Sequence, residues 1–286
     1  MNNTRDPGRK ENGPTTGWQG SAAAMDRWYA QQAQGAGAVA TNLMFEKTQI
    51  GPGKRVLDVG AGSGNETIRM AEMVGPSGFV LATDISEDML QSATRKVHGA
   101  GLGNVDLKIM DAADLDVPPR SFDAAISRMG LMLFPDPNGA LHCMWQALKT
   151  GGRVGAMVFS LPEHNPMQEI PATVIRDKLG LPAPDPDRPG YSRLSAAGLL
   201  DAMLEEAGFV EVDVVPIGGD RQMSANDLRE FVTDRSGITR PLLAQVDGKK
   251  KEEILDAVLQ SMSPYLADDG YVIPQEFLVA SGLKAD

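Results

Sequence analysis

At 286 residues, with 42% hydrophobic and 23% charged side chains, the chain has the make-up of a globular protein able to bury a sizeable core in one large domain. A net charge of −11 leaves no basic face to track phosphates, which argues against a nucleic-acid partner. Cys143 is the only cysteine and the three histidines are scattered, so neither disulfides nor a metal site are expected. No apolar run approaches the roughly 18 residues of a membrane span and no signal-peptide pattern opens the chain, so a cytoplasmic protein is expected.

Residues 1–17 are polar and rich in Gly, Pro, Asn and Thr, the composition of a disordered tail. Residues 18–47 read as helix, with Trp28, Tyr29, Leu43 and Met44 among the apolar positions. Within them Gly35–Ala40 matches G-x-G-x-x-A, but it follows Gln and Ala rather than a strand, so the context that gives this pattern meaning is missing.

The stretch from Val56 to Ile68 organises the rest of the chain. A short apolar run with β-branched residues ends in Gly60-Ala61-Gly62-Ser63-Gly64, and a helix-period segment then runs to a Gly75-Pro76 stop. This predicts strand, tight turn and helix, with helix N–H groups aimed at a ligand above a turn that only glycine can make. A dinucleotide fingerprint would carry Gly or Ala where Asn65 stands, and a P-loop would carry Lys after the glycines. Asp58, just before the turn, would repel a pyrophosphate.

A second buried-type strand, Phe79–Asp84, ends in an acid roughly 20 residues past the turn, where an acid can accept both ribose hydroxyls. Ser86 is positioned to cap the next helix, which stops near Gly99. Strands follow at 105–110, ending at Asp111, at 122–127, and at 153–160, the last two separated by a helix at 139–149 closed by Gly151-Gly152. Alternating strands and helices with short connections predict a parallel α/β sheet with helices on both faces. Asp58, Asp84 and Asp111 all fall at the carboxyl ends of strands, the ligand edge of such a sheet.

With these residues in place, the chain resembles the class I S-adenosylmethionine (SAM)-dependent methyltransferases. Val56–Gly64 looks like their first motif, Phe122–Ser127 like their fourth, and Leu148–Val154 like the turn into strand five. Among their branches it looks closest to the ubiquinone/menaquinone-type C-methyltransferases and to small-molecule methyltransferases of natural-product pathways. The resemblance implies a Rossmann-like, doubly wound, seven-stranded sheet whose last strand is antiparallel and lies between strands five and six. It also implies SAM as cofactor and S-adenosylhomocysteine (SAH) as product. Asp58, Gly60, Ala61, Gly62 and Gly64 would hold the methionine end, Asp84 the ribose with Ile85 and Met89 beside it, and Asp111 with Ala112 the adenine. Ser127 and Arg128 end strand four beside the methionine end, and Tyr29 is a candidate to close over the cofactor.

The C-terminal half predicts helices at 167–179, 195–207, 225–236 and 252–262, a sixth strand at 209–216 and a last one around 277–280. Lys249-Lys250-Lys251 reads as a solvated entry into the helix at 252. Residues 18–47 with insertions around 161–194 and 218–270 would form a helical cap over the acceptor, completing one domain from 18 to 286. Methyl transfer needs alignment and water exclusion more than covalent help. His164, on the ligand edge after strand five, is the leading candidate base, and Arg128 a second residue at the reacting end. Met129, Met132 and Met167 would suit an adaptable apolar pocket for a small or medium-sized, largely apolar acceptor, with a carbon acceptor slightly preferred. The rival readings are an NAD-dependent oxidoreductase and a SAM-binding regulator without catalysis; a homo-oligomer is left open.

Overall fold

A computed structural model describes residues 20–24, 26 and 35–286. The expected disordered tail, Tyr29 and part of the first expected helix lie outside the described residues. The first complete helix, α1, is Ala36–Lys47, opened by Gly35 at φ 101. The sheet comprises β1 (Arg55–Val59), β2 (Phe79–Asp84), β3 (Val105–Ile109), β4 (Phe122–Arg128), β5 (Leu148–Phe159), β6 (Val210–Met223), the two-residue β7 (Leu266–Ala267) and β8 (Gly270–Leu283). Its order among the described residues is β3-β2-β1-β4-β5-β8-β6, with β7 paired to β8. The first five strands pair in parallel, while β8 runs antiparallel between β5 and β6. The antiparallel last strand thus sits where the resemblance implied.

Physical causes are local for most of these elements. Val56, Leu57 and Val59 are fully buried, as a strand covered on both faces requires. Helix α2 (Asn65–Val74) turns Met70, Ala71 and Val74 to the sheet and ends at Gly75. Helix α3 (Glu87–Gly99) is capped by Ser86, whose hydroxyl accepts the Met89 amide at 3.4 Å. The segment before α1 is tied to α3: Asp26 accepts from the Ser92 hydroxyl at 2.8 Å and pairs with Lys96.

Several boundaries differ from expectation. Helix α4 is Pro137–Ala147, two residues early, because Asp136 takes the N-cap and accepts the Gly139 amide at 2.8 Å. The chain is already extended at Leu148, so Gly151-Gly152 fall inside β5 rather than closing the helix. Helix α5 (Pro166–Lys178) matches closely. Helix α6 is Leu199–Glu206 and not 195–207: the Ser195 hydroxyl donates to the Ser192 carbonyl at 2.7 Å instead of capping, and Gly198 at φ 75 opens the helix. The region expected as one helix at 225–236 divides into α7 (Ala225–Glu230) and a π-helical turn, Phe231–Arg235. After the short α8 (Thr239–Leu243), α9 runs Gly248–Ser261 under an Asp247 cap, so the lysine triplet occupies its first turn rather than a loop.

The largest difference is the length of β6 and β8, which continue pairing as far as Met223 and Tyr271, well past β5. Beyond the sheet this ribbon carries a second apolar cluster formed by Met167, Ile175, Met223, Leu228, Phe231, Val232, Leu243, Ile254 and Tyr271. Among the described residues no helix is long and apolar enough to cross a membrane.

Candidate active site

The glycine turn follows β1 at the carboxyl edge of the sheet, where β1 and β4 are neighbours. The Gly60 and Ala61 amides donate to the Thr83 carbonyl at 2.8 and 2.9 Å, and the Gly62 amide donates to Asp84 Oδ2 at 2.8 Å. Two of the glycines are needed for different reasons. Gly62, at φ 56, has open space on the side where a Cβ would stand, and that side belongs to a cavity. Gly64, at φ 80, is turned the other way: a Cβ there would come within 2.7 Å of Ala93 Cβ. Its absence lets α2 and α3 approach, so Gly64 shapes the turn by packing and is not part of the cavity wall.

The cavity beside this turn is an open cleft with about 1160 Å³ of empty space, part of it continuous with solvent. Its wall includes Gly60, Ala61 and Gly62 of the turn, Asp84, Ile85 and Met89 at and after the end of β2, Asp111 and Ala112 after β3, and Arg128 at the end of β4. Asp84 Oδ1 also accepts the Ser86 amide at 2.8 Å. Burial pushes the Asp84 carboxyl up, opposed by these backbone N–H donors. Each carboxylate oxygen has a second lone pair, so both can still receive hydroxyls. Asp111 Oδ1 accepts the Ala113 amide at 3.0 Å, which leaves the Ala112 amide outside that turn's side-chain bond.

Asp58 lies behind the turn rather than in the wall. It is 2% exposed, and its Oδ2 accepts the Thr67 hydroxyl at 2.6 Å. Burial pushes its carboxyl up to about 7, the Thr67 bond opposing and the charges of Glu66 and Asp84 adding to the rise. Ser127 is fully buried behind the wall, and its Oγ has no hydrogen-bond partner among the described residues. Arg128 does reach the wall, held by Glu66 Oε1 at 3.0 Å and the Thr41 hydroxyl at 2.9 Å. The acid it pairs with stands in the first turn of α2.

Against the same edge lies a second cavity of about 790 Å³. Phe159 and Phe277 stack in its wall with ring centroids 5.2 Å apart, and Tyr191 meets Phe159 edge-on at 5.7 Å. The Tyr191 hydroxyl lies 3.1 Å from Ser236 Oγ, and burial pushes its pKa up to about 12. Arg128, Met129 and Leu133 belong to the walls of both cavities. Met129 takes the left-handed conformation, φ 61, which a side chain of its size rarely adopts. Met132 lines the second cavity, whereas Met167 is buried in the cluster beyond the sheet.

His164 is not at either cavity. It closes a 3-10 turn, Pro162–His164, with its side chain 48% exposed and Nδ1 2.7 Å from Glu276 Oε1. Nearness to the end of β5 is what suggests a base at His164, but β8 runs past that end and engages the imidazole from outside the wall. Among the described residues no group of three or more His, Cys, Asp and Glu side chains could hold a metal ion.

Comparison with known proteins bears on this geometry. A family profile described as a methyltransferase domain matches residues 56–152, the span from β1 into β5. The ubiquinone/menaquinone biosynthesis C-methyltransferase UbiE of Vibrio cholerae is 33% identical over 178 residues, covering 59% of this chain and 68% of that protein. The chain belongs to the class I SAM-dependent methyltransferases, on the UbiE-like branch. The UbiE protein of Pseudoalteromonas translucida is 40% identical over 113 residues, 39% of this chain and less than half, 45%, of that protein. The solved structure of YcgJ from Bacillus subtilis shares the fold, with a TM-score of 0.60 at 20% identity over 87% of this chain and 99% of that one. SAM is the cofactor of the family, and the glycine turn of this chain lies inside the matched span.

Part of the lining of the two cavities is not anticipated by the sequence. Thr83, Met110, Phe134 and Pro135 line the first, and Gln168, Tyr191, Arg221, Arg235 and Gln275 the second. Met110 and Thr83 flank strand-end acids and follow from the same reasoning once the sheet is drawn. Arg221 and Arg235 carry no local signal: the length of the ribbon brings Arg221 to the cavity, and the π-helical turn that follows it brings Arg235.

Proposed function

We propose that this chain transfers the methyl group of SAM to a small or medium-sized, largely apolar metabolite. The observation that carries the reading is the junction of the two cavities at Arg128, Met129 and Leu133: one cavity is lined by the glycine turn and strand-end acids, the other by aromatic and methionine side chains. Asp84 would accept the ribose hydroxyls, Asp111 and the Ala112 amide would meet the adenine, and Ile85 and Met89 would cover its apolar faces. Gly60, Ala61 and Gly62 would let the backbone approach the methionine end, with Arg128 beside it. Asp58 and Gly64 act from behind, holding the turn through Thr67 and Ala93.

When bound, SAM supplies a sulfonium methyl group already activated for in-line displacement. The contribution of the chain is then to align the acceptor and to exclude water. The residues around 161–194 and 218–270 form the cap over the acceptor. A carbon acceptor is preferred because the UbiE relatives are named C-methyltransferases. His164, outside both cavities, has no part in the transfer.

Isothermal titration with SAM, SAH and NAD tests the cofactor, and transfer of labelled methyl from SAM to a metabolite panel tests the activity. Micromolar binding of SAM and SAH with none of NAD is expected. Binding of NAD alone would overturn the reading, and tight SAM binding without transfer to any acceptor would favour a regulator.

A further inference from the structure

The apolar cavity is unusually charged for its purpose. Among the described residues lining it, three are arginines (Arg128, Arg221 and Arg235) and none is an acid. Arg128 is at the junction with the cofactor side and pairs with Glu66. The other two lie in the part of the wall not shared with the first cavity. Arg221 comes from the overhanging part of β6, opposite Ile273 of β8, and is 6% exposed. Arg235 ends the π-helical turn at 2% exposure, its Nη2 donating to the Asp227 carbonyl at 3.1 Å and to Glu230 Oε2 at 3.2 Å.

Two guanidinium groups in an apolar wall are costly, because burial favours neutral forms and like charges repel. Both effects act on Arg221: burial first, then the charge of Arg235, push its pKa down to about 9, with Asp227 opposing. Neither Asp227 nor Glu230 lines the cavity. Gln168 is 3% exposed and lines the same cavity, with its side-chain carbonyl lacking a hydrogen-bond partner among the described residues. Both arginines have partners of their own within the protein, yet the wall they share carries positive charge and no acid, which a purely apolar guest would not use.

We propose that the acceptor carries an anionic group, a carboxylate on an apolar body, which Arg221 and Arg235 bind, and a hydroxyl that donates to Gln168. This deepens the methyl-transfer reading and rests on it. The carboxylate offsets the paired positive charges, and the Gln168 carbonyl gains the donor it lacks. The stacked Phe159 and Phe277 rings accommodate the apolar body, and Met129 and Leu133 turn it toward the cofactor side. A neutral acceptor of the same shape leaves the arginines without that gain, so the cavity selects by charge as well as by fit.

The test uses the full chain, with and without saturating SAH, titrated calorimetrically at neutral pH with 6-hydroxy-2-naphthoate, its methyl ester, and 2-naphthoate. The hydroxy acid is expected to bind roughly ten- to a hundredfold more tightly than the ester, the range for a hydrogen bond to a charged group. Arg221→Met should bring acid and ester close together, Arg221→Lys should restore part of the difference, and SAH affinity should stay unchanged in both. Gln168→Leu should abolish the advantage of the hydroxy acid over 2-naphthoate. Equal binding of acid and ester by the unmodified protein, no measurable binding of either, or a preference that survives Arg221→Met overturns the proposal. An acid preference without any SAH binding would instead remove the methyl-transfer reading and leave the anion site standing.

Discussion

Asp84 holds the Gly62 and Ser86 amides and also lines the cavity, so its removal should be felt twice. Asp84→Ala is expected to weaken SAM binding by roughly 1–3 kcal/mol and to lower the melting temperature as well. Calorimetric titration of a folded variant with unchanged affinity would sink the ribose role. Asp58 has a different signature. Its carboxyl titrates at about 7 in the folded chain against 3.8 as the unperturbed value, so between those limits the folded state keeps a proton that the unfolded state has lost. The fold is most favoured, as far as this group is concerned, at low pH and loses that share as pH rises through the folded value. Asp58→Asn should therefore gain on the unmodified protein between about pH 5 and about pH 8, by no more than about 2–4 kcal/mol. Urea unfolding at both pH values checks it; a constant difference would mean that the carboxyl is ionised throughout. The acids at 58, 84 and 111 were legible because a strand end followed by a turn is a local pattern. What the pattern cannot tell is which side of the turn an acid faces, and Thr67, nine residues on, decides that for Asp58.

The glycine turn depends on how closely two helices pack. In Gly64→Ala the new methyl would meet Ala93 in a backbone conformation that disfavours any side chain, for a loss of roughly 2–4 kcal/mol. Adding Ala93→Gly should recover the part due to contact and leave the part due to φ, which separates the two causes in thermal melts. At α4, Asp136→Ala should cost about 1 kcal/mol through the lost bond to the Gly139 amide. The parallel strands and their helices were readable because caps, glycine stops and buried runs all lie within a few residues of one another. The length of the ribbon was not. Pro216, Gly218-Gly219 and Pro274 are poor strand residues by local preference, and they end a strand in any reading of sequence alone. Position overrides preference: β6 is the edge of the sheet, and β8 at Pro274 is already beyond Phe159, where β5 stops pairing. A proline there has only one neighbouring strand to satisfy. The place of His164 was hidden for the same reason, because its surroundings are set by Glu276 on a strand read as too short.

At the scale of the molecule, the β6–β8 ribbon is shared by the sheet and by the apolar cluster beyond it, so the two should melt together. A single calorimetric transition is expected, shifted up by SAH at a hundred times its dissociation constant by about 2.7 kcal/mol, or roughly 5–10 °C for a chain of this size. NAD should produce no shift, and two separate transitions would count against one cooperative unit. The partition between the cavities has a further consequence. Arg128, Met129 and Leu133 cannot be set by one occupant without altering the wall presented to the other. By linkage, an acceptor that tightens the hold on the demethylated cofactor is itself held more tightly by it. Such a dead-end ternary complex accumulates as acceptor concentration rises, so initial rates are expected to pass through a maximum and fall, and the fall should be steeper when SAH is added.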